Sequence, residues 1–306
     1  MVLHSEGNVD AMEYRVLARK YRPQNFKDLI GQDVLVRTLS NAFSQGRLAH
    51  AFILTGVRGV GKTTTARIIA KGINCIGADG KGGATIDPCG VCANCTGIME
   101  DRHVDVMEMD AASRTGVDDI REILDGIRYK PVAARNKVYI IDEVHMLSRN
   151  AFNALLKTLE EPPENVKFIF ATTEIRKVPV TVLSRCQRFD LKRLGMEDLA
   201  RLFSTVCQKE NITIERDALY ALGRAADGSA RDGLSLLDQS MALSVGEITA
   251  EVVQGMLGSS DRANILDLFE ETMSGDITTA LNHLEKMNQN GIDPLSIVQD
   301  LSLIHI

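Results

Sequence analysis

The sequence predicts an α/β fold built on a parallel five-stranded sheet. Short apolar runs at Ala51–Leu54, Val104–Met109, Val138–Ile141, Val166–Ala171 and Gln187–Leu191 alternate with helical patterns. That alternation is the signature of strand, crossover helix, parallel strand. The first run leads directly into GVRGVGKTTT at 56–65. This fits the pattern G-x-x-x-x-G-K-[ST] in the context that gives it meaning, a buried strand before it and a helix after it. The third run ends in Asp142-Glu143.

The elements follow in order. Residues 1–13 read as a polar extension without the apolar core of a secretory signal. After the glycine-rich turn, a helix opens at Lys62 with Ala66, Ile69, Ala70 and Ile73 on one stripe, the spacing of a helix packed on a sheet. Ser148–Glu161 carries Ala151, Phe152, Leu155, Leu156 and Leu159 at helical spacing and is stopped by Pro162-Pro163. Past Arg193 the strand signals fade. Residues 196–258 read as an all-helical unit, with stripes at Leu199, Leu202, Phe203 and Val206, at Leu219, Leu222 and Ala226, and at Leu234, Leu237 and Met241. From 259 another helical unit begins, with Ile265, Leu268, Phe269 and Met273, then Leu281, Leu284 and Met287. The sequence ends in an apolar stretch with no helix-stop signal, so a third domain cut short is expected over 259–306.

Composition narrows the function. Hydrophobic residues are 44% and charged residues 25%, ordinary for a globular protein. Tryptophan is absent and aromatics are 5%, which argues against base stacking as the main grip on nucleic acid. The net charge of -6 means a DNA partner must meet a local basic face. The cluster Arg15, Arg19, Lys20 and Arg22 reads as a solvated face or a subunit contact. No run reaches the roughly 18 residues of a membrane helix. A cytoplasmic protein with reduced thiols and no membrane partner is expected.

The turn carries chemistry. Backbone N–H groups of Gly56, Val57, Arg58, Gly59, Val60 and Gly61, with the positive end of the following helix, can surround a polyphosphate. Lys62 can reach the β- and γ-phosphates, and the Thr63 hydroxyl, next to Thr64, can ligate Mg²⁺. Asp142 stands 80 positions after Lys62 at a strand tip and can hold Mg²⁺ directly or through water. Glu143 can polarise water for attack on the γ-phosphate. Adjacent Asp and Glu favour hydrolysis over a small-molecule kinase, which needs no water-activating glutamate. His50, His103 and His145 are scattered and suggest no catalytic arrangement. Met99, Met107 and Met109 read as core filler.

Four of the six cysteines, Cys75, Cys89, Cys92 and Cys95, bracket a polar glycine-rich stretch. Four thiolates suit a closed structural Zn²⁺ site. The spacing is also compatible with an iron–sulfur cluster or with free thiols.

These motifs are joined by ARKYRPQNFKDLIGQ at 18–32, DPCGVCANC at 87–95, DAASRTGVDDIR at 110–121, KVYIIDEVHMLS at 137–148, FNALLKTLEEPPENVKFIFATTE at 152–174, LSRCQRF at 183–189 and GSARDGLSLLDQ at 228–239. Together they closely resemble the gamma/tau ATPase subunits of the bacterial DNA polymerase III clamp loader, of the AAA+ class, from about Tyr14 to near the end of the chain. The resemblance implies an AAA+ domain over 14–195 with a zinc module at 75–95, a lid over 196–258 and an oligomerisation domain from 259. It implies that Arg185 is an arginine finger reaching a neighbouring subunit's ATP. Thr173 would be the sensor near the γ-phosphate, and Arg231 a lid residue touching the same subunit's nucleotide. Tyr21, Arg22, Pro23, Ile30 and Gly31 resemble the segment lining the adenine pocket. ATP, Mg²⁺ and structural Zn²⁺ are the implied cofactors. The implied partners are the other subunits of a hetero-pentameric ring, the sliding clamp and primed DNA. A solitary P-loop kinase predicts turnover by the isolated chain on a small acceptor. A zinc-dependent DNA-binding module predicts that Lys62→Ala leaves function intact.

Overall fold

The computed structural model describes residues 15–244, 246–257, 262–289 and 294–305; the expected N-terminal extension lies outside them. The described chain falls into two compact units. One comprises residues up to Asp198 together with Gly228–Asp232, the other Leu199–Asp227 together with residues from Gly233 onward.

The first unit opens with the short helix α1 (Leu17–Lys20) and helix α2 (Asp33–Ser44). Strand β1 (Ala51–Thr55) is followed by α3 (Lys62–Asn74) and α4 (Ala93–Met99). Then come β2 (Val106–Asp110), α5 (Val117–Ile127), β3 (Lys137–Asp142), α6 (Arg149–Glu160), β4 (Val166–Thr172), α7 (Val180–Leu183) and β5 (Gln187–Asp190). The five strands form one sheet in the order β2-β3-β4-β1-β5, every pairing parallel. All five predicted runs are therefore strands.

The central strands are buried on both faces, as parallel strands covered by crossover helices must be. Successive residues of each strand alternate between two cores. Phe52, Leu54, Val138, Ile140, Ile169 and Ala171 pack against Leu39 of α2 and Ile68, Ile69 and Ile73 of α3. Ile53, Tyr139, Ile141, Phe168 and Phe170 pack against Ile120 and Ile123 of α5 and Phe152 and Leu155 of α6. Helix α6 begins where the sequence places it, because the Ser148 side chain accepts the Ala151 N–H at 3.2 Å. Of the methionines expected in the core, Met109 is buried, but Met107 is 44% exposed because it faces outward on the edge strand β2.

In the second unit, α8 (Met196–Glu210), α9 (Arg216–Ala225), α10 (Ala230–Leu243) and α11 (Ala250–Leu257) bury the predicted stripes around Leu199, Phe203, Leu222, Leu234 and Leu237. The all-helical expectation needs one correction. Strands β6 (Thr213–Ile214) and β7 (Glu247–Ile248) form a parallel pair, Thr213 opposite Glu247. Two residues are too few for a period-2 pattern to appear in the sequence. Helices α12 (Arg262–Ser274), α13 (Ile277–Gln289) and α14 (Pro294–His305) gather around buried Ile265, Leu268, Met287 and Ile297. Met273 and Leu281, counted in the apolar pattern, are exposed. A cluster this narrow covers only one stripe of each helix.

Phe168 is fully buried and stacks on Tyr139 at 5.6 Å and Phe170 at 5.8 Å. Phe168→Ala should cost ~3–5 kcal/mol through lost contacts and a cavity. Chemical denaturation of this variant beside Tyr129→Ala, whose ring is 73% exposed, checks it. The exposed change should stay within about 0.5 kcal/mol.

Candidate nucleotide site

The parallel register brings the predicted residues to one end of the sheet. Thr55 at the end of β1 is opposite Thr172 at the end of β4, and Ile141 of β3 is opposite Phe170. The turn after β1, the acids after β3 and the threonine after β4 therefore share the carboxyl end, where open α/β sheets bind ligands.

The loop from Gly56 to Gly61 needs its glycines. Gly59 (φ 74°) and Gly61 (φ 101°) lie in the left-handed region. A Cβ on Gly59 would sit 1.9 Å from Ser229 Oγ. None of the N–H groups of Gly59, Gly61, Lys62 and Thr63 donates to a protein acceptor among the described residues. Lys62 and Thr63 carry orphan donors of a helix N-terminus, a kind of group that commonly meets anions, and the Gly59 and Gly61 N–H groups precede them. Val57, Arg58 and Val60 complete the loop, with Val60 buried in the core below; Thr64 lies in the first turn of α3.

Lys62 is 6% exposed. Its ammonium donates to the carbonyls of Gly56 and Val57, both at 3.0 Å, and lies 4.0 Å from Glu143 Oε1. Burial draws its pKa below the usual lysine range, against the pull of Glu143 and Asp142. Thr63 Oγ1 donates to Asp142 Oδ2 at 2.5 Å, so the two predicted magnesium ligands already touch.

Glu143 has φ 45° and ψ 45°, a left-handed conformation costly for a non-glycine residue. Its Oε2 accepts the Thr173 N–H at 3.0 Å and the Thr173 hydroxyl at 2.9 Å. The predicted base and the predicted sensor are thus in direct contact. His145, read as scattered from sequence, packs against Glu143 with Nδ1 3.3 Å from Oε2. The one clue to it was its position two residues after an acid at a strand end.

Arg231 is brought to the loop: its N–H donates to the Gly59 carbonyl at 3.3 Å. Ser229, at the N-terminus of α10, accepts the Asp232 N–H beside it. Arg185 is not brought there. It follows α7 at the start of β5, where it pairs with Glu160 at 2.6 Å and donates to the Thr181 carbonyl. Gln187 is opposite Phe52, so Arg185 belongs to the amino end of the sheet. Gly56 lies four residues further along β1, about 13 Å away at ~3.3 Å per residue.

Tyr21, Arg22 and Pro23 are half-buried, as are Ile30 and Gly31. Burial and the nearby Arg67 lower the Arg22 pKa, and Arg231 adds to the effect. Gly31 has φ 70°. The segment is tied to the end of β5 by Gln32, which donates to the Lys192 carbonyl at 2.9 Å and accepts its N–H at 3.1 Å.

The four predicted cysteines converge, their sulfurs all within 4.8 Å of one another. Cys75 follows α3, Cys92 precedes α4 and Cys95 lies within it. Cys75 Sγ accepts the N–H groups of Gly77 and Cys89, each at 3.3 Å, and Cys89 Sγ accepts that of Cys92 at 3.4 Å. Lys71, fully buried nearby, donates to the Gln24 carbonyl. Arg135 braces the loop through the carbonyls of Ile73, Cys75 and Gly82.

A glycine-rich loop of the G-x-x-x-x-G-K-[ST] pattern and an acidic pair at one end of a five-stranded parallel sheet define a P-loop NTPase of the AAA+ type. The Holliday junction branch migration motor RuvB of Thermotoga maritima has the same fold, with TM-score 0.58 at 18% identity over 83% of this chain and 80% of that one. Three family profiles match in succession: DNA polymerase III, delta subunit, over 31–195; DNA polymerase III clamp loader subunit, ATPase lid domain, over 199–246; and DNA polymerase III subunits gamma and tau domain III over 248–306. The chain is 48% identical over 295 residues to DNA polymerase III subunit tau of Salmonella typhimurium, covering 96% of this chain and 45% of the relative. It is 42% identical to DNA polymerase III subunit gamma of Buchnera aphidicola subsp. Baizongia pistaciae, covering 96% of this chain and 78% of that relative. The chain belongs to the gamma/tau family of DNA polymerase III clamp-loader subunits. It spans about half the length of the tau relatives. No helix of the described residues is long and apolar enough to cross a membrane.

The cysteines should differ in reactivity. Burial pushes Cys186 up to about 12 and Cys207 up to about 11. Burial also opposes ionisation of Cys92, but N–H groups of Ile76 and Cys95 and neighbouring thiols bring it down to about 7. Raised thiols stay protonated below their pKa and the lowered one ionises above it. At pH 8, iodoacetamide should therefore label Cys92 of metal-free protein before Cys186 and Cys207, which stay unmodified while the fold holds. Peptide mass spectrometry checks the order.

Proposed function

We propose that the chain is the ATP-hydrolysing subunit of the DNA polymerase III clamp loader. In this reading ATP binding and hydrolysis drive opening of the sliding clamp and its loading onto primed DNA during chromosome replication. The observation that carries the proposal is the gathering of Lys62, Thr63, Asp142, Glu143 and Thr173 at one sheet end in a chain of this family.

The loop N–H groups and the N-terminus of α3 hold the β- and γ-phosphates, and Lys62 turns from its two carbonyls to the phosphate oxygens. Tyr21, Arg22, Pro23, Ile30 and Gly31 line the adenine pocket. Arg22 lies within electrostatic range of Arg231 and of Arg67, whose own charge is taken up by Glu108 and Asp101. Thr63 and Asp142 fit a divalent ion, being paired oxygen donors beside the loop. Mg²⁺ there supplies charge neutralisation on the phosphates. Glu143 polarises the attacking water, Thr173 orients the Glu143 carboxylate, and Arg231 touches the nucleotide of its own subunit.

Arg185 acts in trans. Its place at the amino end of the sheet keeps it from its own phosphate loop and supports a role in a neighbouring subunit's site. A guanidinium delivered by a partner neutralises transition-state charge and makes hydrolysis depend on assembly.

Cys75, Cys89, Cys92 and Cys95 fit a structural Zn²⁺. Their sulfurs are close and mostly buried, accept backbone N–H groups as metal thiolates do, and have buried Lys71 as counter-charge. The ion supplies a cross-link for a module with little core of its own. On this reading the AAA+ domain covers 14–195, the lid 196–258 and the oligomerisation domain 259–306. The partners are the other subunits of a hetero-pentameric ring, the clamp and primed template.

Two variants test the reading in the assembled loader. Lys62→Ala should abolish ATP binding measured by calorimetry while the fold survives by circular dichroism. Arg185→Ala should bind ATP normally but lose ~10³-fold or more in DNA-stimulated hydrolysis. Normal hydrolysis by the second variant would remove the finger assignment.

A further inference from the structure

His145 has no part in the mechanism above, yet it touches the residues that do. The short turn after β3 closes with the Met146 N–H donating to the Glu143 carbonyl at 2.9 Å. This folds the imidazole back against the carboxylate two residues earlier. The side chain is 6% exposed. Its Nδ1 lies 2.9 Å from Thr172 Oγ1 and 3.3 Å from Glu143 Oε2, and its Nε2 lies 3.5 Å from Glu174 Oε1. Thr172 Oγ1 is itself held in place, since it accepts the Glu174 N–H at 3.0 Å. One ring therefore bridges the acid after β3 and the last residue of β4.

The Glu143 carboxylate has two distinct sides. Oε2 faces Thr173 and His145, whereas Oε1 faces Lys62 and the phosphate loop at 4.0 Å. The backbone beneath it is left-handed, so its side-chain direction depends on neighbours rather than on a relaxed strand or helix. Thr173 alone fixes the position of one oxygen. Both Thr173 donors reach Oε2 from one residue, and the His145 ring meets the same oxygen from another direction, which constrains the rotation of the carboxylate plane.

We propose that His145 is a positioning residue for Glu143: anchored by Thr172, its Nδ1 sets the direction in which Oε1 is presented to the attacking water. The proposal rests on the assignment of Glu143 as the water-polarising group. A carboxylate misdirected by an ångström loses much of its catalytic effect without any change in how the nucleotide is held.

The test uses the full-length protein in its complete clamp-loading assembly with clamp and primed DNA. His145→Asn keeps a hydrogen-bonding amide near the Nδ1 position. His145→Gln moves its amide out toward the Nε2 position, and His145→Ala removes both. Single-turnover hydrolysis gives the chemical step, and calorimetry gives ATP affinity. The alanine and glutamine variants should lose ~10- to 100-fold in hydrolysis rate with unchanged ATP affinity. The asparagine variant should keep most of the rate. The proposal is overturned if asparagine is as slow as glutamine, if alanine is as fast as the parent, or if affinity falls in step with rate. Should the alanine variant not fold, the asparagine and glutamine pair decides. A parent assembly that binds ATP without hydrolysing it would instead overturn the Glu143 assignment beneath the proposal.

Discussion

The parallel register of β1, β3 and β4 is the constraint on which the site depends. A strand shifted by one residue presents its alternate side chains to the opposite face. Here Ile140 belongs to the core under α3 and Ile141 to the core under α6. A slip of β3 by one position would bury the wrong set and withdraw Asp142 from Thr63. The apolar alternation that stabilises the two cores therefore also fixes where the acids emerge. The same burial that folds the sheet sets the height of each strand end, and side-chain contacts then set the direction of the groups there.

Charge compensation then shapes the strand ends. A buried ammonium without a partner is strongly unfavourable. Lys62 meets this with two loop carbonyls and a carboxylate at 4.0 Å. On the proposed function, a triphosphate replaces these partners. Glu143 is held more firmly, by two donors from Thr173 and by the imidazole of His145. The lysine is poised to leave its contacts and the glutamate to keep them. That asymmetry suits a site where one group follows the phosphate and the other must stay in place. Lys71 meets the same cost differently, near the sulfurs of Cys95, Cys75 and Cys89 and near Asp28. On the proposed zinc reading, thiolates held by the ion would compensate this buried ammonium.

Much of this was legible in the sequence because it rests on local periodicity. The strand before GVRGVGKTTT, the stripe at Ala66, Ile69, Ala70 and Ile73, and the acids after Val138–Ile141 each announce themselves within a dozen residues. The cysteines were legible as a group because C-x₂-C-x₂-C is short-range, although only folding brings Cys75 to them. His145 was not legible as part of the site. Its importance comes from contact with Thr172 and Glu174 across a parallel pairing, and such pairings leave no trace in spacing. The β6–β7 pair escaped for the same reason, each strand being too short for a period.

The sheet order also bears on the role proposed for Arg185. A parallel strand has its two ends on opposite sides of the domain, and β5 runs beside β1 in the same direction. A residue that enters β5, as Arg185 does, is separated from the phosphate loop by the length of the sheet. No side-chain rotation closes that gap, since an extended arginine reaches only about half of it from the first residues of a strand. Its pairing with Glu160 keeps it on that far surface. On the proposed finger role, a guanidinium placed there would serve hydrolysis only where a second subunit offers its own loop to it. Dependence on assembly would then follow from strand direction, before any regulatory contact is considered.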